Sequence, residues 1–137
     1  MSEARLAQAP YLAGDWSPAS GYSVGKVLAQ DPDMTAVFAA NDDMALGLIR
    51  ALHEAGRDVP GDVSVIGLDD IPQAAFMNPP LTTIAQEFEL VAAHGFRQLI
   101  ALINGEDPGE SGDIEPYRLV ERKSTAPLPP RSAALPN

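Results

Sequence analysis

Ala36-Val37-Phe38-Ala39-Ala40 runs into Asn41-Asp42-Asp43, and further on Val63-Ser64-Val65-Ile66-Gly67-Leu68 runs into Asp69-Asp70. Short continuous apolar runs, the second preceded by Pro60-Gly61, read as strands buried on both faces of a parallel sheet. Between them Ala45, Leu48, Ile49, Leu52 and Ala55 recur at three- and four-residue spacing. That is the apolar stripe of a helix starting at Asp42 or Asp43 and closed by Gly56. Strand, helix and strand make a crossover, which predicts an α/β fold with a mainly parallel sheet flanked by helices. Ligands of open parallel sheets bind in the crevice outside the carboxyl ends of the strands. Asn41, Asp42, Asp69 and Asp70 fall at that edge, so the sequence predicts part of a polar small-molecule site.

Working outward, Tyr11-Leu12-Ala13 reads as a short strand. Ser17-Pro18 starts a helix, with Ser able to bond a free backbone N–H and Pro at the first helical position. Its apolar face would use Val24, Val27 and Leu28, and Asp31-Pro32 would end it. Beyond Asp70, an irregular stretch runs to Asn78-Pro79-Pro80, and Leu81-Thr82-Thr83-Ile84 is a further strand. A long helix follows from about Glu87 to Asn104, with Phe88, Val91, Ala92, Gly95, Leu99, Leu102 and Ile103 inward and Gly105 closing it. Tyr117-Arg118-Leu119-Val120 reads as a last strand. From Ala126 onward four of twelve residues are proline and no period is visible. The expected division is therefore one domain over residues 1–125 and an unstructured tail over 126–137.

The 137 residues suffice for one domain with a real core, and 45% of them are hydrophobic, which excludes a disordered chain. A formal charge of −10 argues against nucleic-acid binding by these residues themselves. No run of Lys or Arg offsets it, so anionic membrane is equally disfavoured. There is no cysteine, hence no disulfide and no thiolate metal site. The start carries no apolar stretch like a signal peptide, and no later run is long enough for a bilayer, so a cytoplasmic protein is expected.

Two Asp pairs at strand ends can attract a divalent cation. Against this, Asp42 or Asp43 has a structural task as helix cap. No glycine loop, nucleophile–base pair or spaced His ligands accompany them, so neither an enzyme, a metal site nor a cofactor is expected. As hydrogen-bond partners the same residues suit a polyol: a carboxylate accepts two hydroxyl donors, and an Asn amide both donates and accepts. Trp16, the single tryptophan, sits in a turn. Its indole either packs on the apolar face of a sugar ring or plugs the top of the core. His53 and His94 read as surface or packing residues.

The blocks Phe38–Gly47 and Val59–Asp70 closely resemble the LacI/GalR family of bacterial transcription repressors. Gly14-Asp15-Trp16-Ser17, Pro80-Leu81-Thr82-Thr83-Ile84 with Gln86 and Phe88, and Leu119-Val120-Glu121-Arg122-Lys123-Ser124-Thr125 match the same family in order. The resemblance covers Gly14 to Thr125. It implies a periplasmic-binding-protein-like lobe, the carboxyl-terminal part of a two-lobed effector-binding domain. Operator DNA would be read only by a helix-turn-helix module with no counterpart here. A fragment of a transport sugar-binding protein is the alternative, disfavoured by the Leu81-Thr82-Thr83 and Arg122–Thr125 patterns. By the resemblance, Trp16, Asn41, Asp69 and Phe88 contact the effector, a sugar or nucleoside. Gln73, Phe76 and Met77 lie at a homodimer interface, Phe76 and Met77 as exposed apolar anchors.

Overall fold

The computed structural model of the chain describes residues 12–109 and 116–127. Its elements run α1 (Pro18–Leu28), β1 (Ala36–Phe38), α2 (Asp42–Glu54), β2 (Ser64–Asp69), a 3-10 turn (Pro72–Phe76), β3 (Thr82–Gln86), α3 (Phe88–Ile103) and β4 (Tyr117–Val120). The strands form one sheet in the order β1-β2-β3-β4. β1 and β2 are parallel, with Val37 opposite Val65 and Phe38 opposite Ile66. β2 and β3 are parallel from Ile66 opposite Thr82, and β4 runs antiparallel to β3. The crossover read from the two apolar runs is present, and the sheet is mainly parallel as expected.

Burial differs from the expectation of strands covered on both faces. β1 is an edge strand whose Phe38 is exposed. β2 buries Val65 and Gly67 and leaves Ser64, Ile66 and Leu68 half-buried. The cause is that α2 packs on one side of β2 only, so the alternation of a half-covered strand shows. The core lies on that side, where Leu48, Ile49 and Leu52 meet Val63, Val65, Ala74, Met77 and Leu81.

The helix starts are set locally. Ser17 Oγ accepts the Ser20 N–H at 3.1 Å, with Pro18 next in the chain, as expected. Asn41, not Asp42 or Asp43, caps α2: its Oδ1 accepts the Met44 N–H at 2.8 Å. Both aspartates then fall in the first turn, where the helix dipole favours negative charge. Gly56 and Gly105 follow α2 and α3 with φ of +76° and +75°.

α1 ends at Leu28, earlier than Asp31-Pro32; of its expected apolar face Leu28 packs against the core and Val24 is half-buried, while Val27 is corrected. The helix buries Gly21 and Gly25 and turns Val27 outward. It meets α2 backbone to backbone. A Cβ on Gly47 would lie 1.8 Å from the Pro18 carbonyl oxygen, and one on Gly21 would lie 2.1 Å from that of Met44.

α3 is corrected too. None of its residues is buried, although Phe88, Val91, Leu99, Leu102 and Ile103 were expected to face inward. The stripe is there, but no element of the described residues covers it. Tyr11 lies outside the described residues, and Leu12 and Ala13 belong to no strand. Of the expected tail, Ala126 and Pro127 form no element and 128–137 lie outside the described residues.

The segment after β4 returns to the sheet. Ser124 is fully buried between β2 and β3. Its carbonyl accepts the Val65 N–H at 2.8 Å, its Oγ donates to the Val65 carbonyl at 2.6 Å, and the Thr82 N–H donates to the same Oγ at 2.8 Å.

Candidate functional site

The carboxyl ends of β1, β2 and β3 carry the predicted edge. Asn41, the cap of α2, also donates from Nδ2 to the Trp16 carbonyl at 3.0 Å. One amide thereby ties the α1 turn to the end of β1. Those two bonds leave Asn41 one N–H and an oxygen lone pair. Trp16 takes a positive φ of 70° and is 64% exposed, so it does not plug the core. Its ring is exposed, and its backbone is tied to the end of β1 through Asn41.

Asp69 and Asp70 close β2 with φ of 112° and 55°, in the left-handed region that costs a non-glycine residue of the order of 1–3 kcal/mol. Such strain persists only where neighbours enforce it. Gln86 Nε2 donates to Asp69 Oδ1 at 2.6 Å. Arg122 pairs with Asp70 Oδ1 at 2.6 Å and donates from Nη1 to the Leu81 carbonyl at 2.8 Å. Asp70 is thereby paired with a guanidinium, while Asp69 keeps acceptor capacity on its second oxygen.

Asp42 was grouped with this edge, and the structure turns it inward. It is fully buried, accepting the Thr83 hydroxyl at 2.6 Å and the Ile71 N–H at 2.9 Å. Gly67 makes the room, since a Cβ there would stand 2.1 Å from Asp42 Oδ1. Burial pushes the Asp42 carboxyl above the usual range; the Thr83 and Ile71 bonds oppose this, and the charges of Asp69 and Asp70 add to it. A raised native pKa means that the folded chain holds this proton more tightly than the unfolded one. The stability so contributed is full below the unfolded value of 3.8 and fades as pH rises through the native value. Asn is a permanently neutral stand-in for the protonated carboxyl, so in urea melts Asp42→Asn should match the parent most closely in acid and gain stability relative to it as pH rises towards neutral. A difference independent of pH would contradict this placement.

Phe88 opens α3 two residues beyond Gln86 and is exposed. Trp16, Asn41 and Asp69 thus share one edge, and Phe88 stands at its β3 end. A separate cleft of about 300 Å3, lined by Val24, Leu28, Val37, Phe38 and Met44, carries none of these polar groups. The site is an open half-surface. Of the expected interface residues, Phe76 is 88% exposed and Gln73 is exposed. Met77 is corrected: only 8% exposed, it belongs to the core cluster, because the chain turns between neighbouring residues at the end of the 3-10 turn.

Thr83, Gln86 and Arg122 had no assigned role from the sequence. The one signal was Gly67, because a glycine inside a β-branched run marks a close approach by another group.

A profile of the family described as a periplasmic binding protein-like domain matches residues 1–125. The HTH-type transcriptional repressor PurR of Salmonella arizonae is 42% identical over 120 residues, 86% of this chain and 35% of that protein. A dimeric Lac repressor with an 11-residue C-terminal deletion superposes with a TM-score of 0.69 at 39% identity, over 82% of this chain and 41% of that one. A LacI family transcriptional regulator from Enterococcus faecium with bound ribose gives a TM-score of 0.66 at 35% identity, over 85% and 43%. The chain spans about a third of the length of the curated relatives it matches.

Proposed function

Since the chain belongs to the periplasmic-binding-protein-like domain family, in the form carried by LacI-family repressors, we propose that it supplies one side of an effector site and a dimerisation surface to such a regulator. The observation that carries this is the strand-end edge, where Asn41 follows β1, Asp69 ends its parallel neighbour β2, and Asn41 bonds the backbone of the exposed Trp16. A carboxylate, an amide and an aromatic face suit a sugar or related polyol, and a relative of this chain was solved with ribose. Phe88 adds a second aromatic face at the end of β3. The uncovered α3 supports a further lobe that closes over this edge.

Gln73 and Phe76, with the exposed Leu46 of α2, form the proposed dimer surface. Operator DNA would be met by another part of the regulator, because a net charge of −10 repels a polyanion. The relatives are repressors rather than enzymes or transport proteins, which favours a cytoplasmic, non-catalytic role. No helix of the described residues is long and apolar enough to cross a membrane.

The test is calorimetry of the complete regulator against a sugar and nucleoside panel, repeated with Asp69→Ala. A hydrogen bond to a charged group contributes roughly 1.5–3 kcal/mol, so affinity should fall by about ten- to 150-fold. Unchanged affinity would make Asp69 a structural carboxylate.

A further inference from the structure

Three consecutive residues at the end of β2 are each held by a side chain from a different segment. Gln86 of β3 holds the Asp69 carboxylate, Arg122 after β4 holds that of Asp70, and Asp42 of α2 accepts the Ile71 N–H. Two of the three residues sit in the left-handed region, which Asp does not adopt without support. Asp42 is itself fixed by Thr83 and seated in the space left by Gly67.

We propose that Asp42, Gln86 and Arg122 form a three-point clamp on the Asp69–Asp70 turn, making the solvent-inaccessible Asp42 a positioning residue for Asp69. The inference rests on Asp69 being an effector contact only for its functional meaning; the clamp itself is a property of the free chain. Without the Asp42 acceptor the turn relaxes towards ordinary φ values, and the Asp69 carboxylate leaves the edge it shares with Asn41. An amide in place of the Asp42 carboxylate keeps an oxygen for the Ile71 N–H and offers its NH2 to the Thr83 hydroxyl oxygen. Shape and hydrogen bonding, rather than charge, are thus what the clamp requires.

The experiment is residue-resolved amide exchange and carbon chemical shifts by NMR on the ligand-free 137-residue chain. In Asp42→Ala, exchange at Ile71 should quicken at least about tenfold, and the shifts of Asp69 and Asp70 should leave their left-handed values. Amides of the α1–α2 pair should keep their protection. Asp42→Asn should retain the parental shifts and exchange at all three residues. Arg122→Gln, which removes the Asp70 pair without opening the core, should move the Asp69 and Asp70 shifts in the same sense and serves if Asp42→Ala does not fold. Parental shifts in Arg122→Gln, or a loss of protection spread evenly over the chain in Asp42→Ala, would overturn the clamp. Equal disturbance by Asn and Ala at position 42 would overturn it as well. Failure of the complete regulator to bind any sugar or nucleoside would refute the effector reading and leave these shifts as they are.

Discussion

Replacing Gly47 by Ala lowers the melting temperature of the chain by on the order of 10 °C, whereas the same change at Gly95 raises it slightly. Both glycines lie inside helices, where Ala is intrinsically better by roughly 1 kcal/mol. At Gly95 a Cβ meets nothing within 4 Å, so the propensity gain stands. At Gly47 it would lie 1.8 Å from the Pro18 carbonyl oxygen and 2.6 Å from the Tyr22 nitrogen. Both are backbone atoms, so no rotamer change relieves the clash and α1 must lift away from α2. Overpacking costs typically about 1–3 kcal/mol, and more where only backbone can yield; roughly 3 kcal/mol or more is expected here, outweighing the propensity gain. Scanning calorimetry of the two variants checks this, and shifts of the same sign would refute it.

The second large effect is association. At micromolar concentration the chain should sediment as a dimer or larger species, and Leu99→Glu with Ile103→Lys should return it to monomer. Eight large apolar residues of α3 are exposed, Ile103 by 74%, and Tyr117 and Leu119 of β4 join them. At about 100 Å2 each they amount to on the order of 1,000 Å2, above the largest apolar patch of a typical monomer and enough for one side of a standard interface. The double variant places opposite charges four residues apart, an arrangement that supports the helix, so lost association cannot be ascribed to a lost helix. Each removed anchor should weaken the dimer about tenfold or more. A clean monomer for the parent chain in sedimentation velocity would sink the claim.

What was legible in the sequence was what neighbouring residues decide. Two apolar runs and one stripe were enough for the parallel β1–β2 pair and its crossover, while the register that sets Val37 opposite Val65 was not read from them. The cap of α2 was displaced by one position because Asn41 and Asp42 are both competent caps, and only the tertiary fold takes one of them inward. The partners of Asp42, Thr83 and Ile71, lie 41 and 29 residues away. The inward turn of Met77 was hidden for a similar reason: it and Phe76 are both apolar, and packing alone separates them. The coverage of α3 and β1 depends on which elements surround them, and a stripe records only that a cover is wanted.

Ser124 bears on how such a lobe is made. A chain leaving the ribosome exposes β2 and β3 well before this residue, yet the Val65 N–H and the Thr82 N–H wait for the oxygens that it brings from 59 and 42 positions downstream. The excursion through α3 and β4 must be completed before the sheet is sealed. Synthesis therefore holds β2 and β3 in an unfinished state until nearly all of the described chain has emerged, and a nascent chain stalled in α3 would present an open seam to the cell's chaperones.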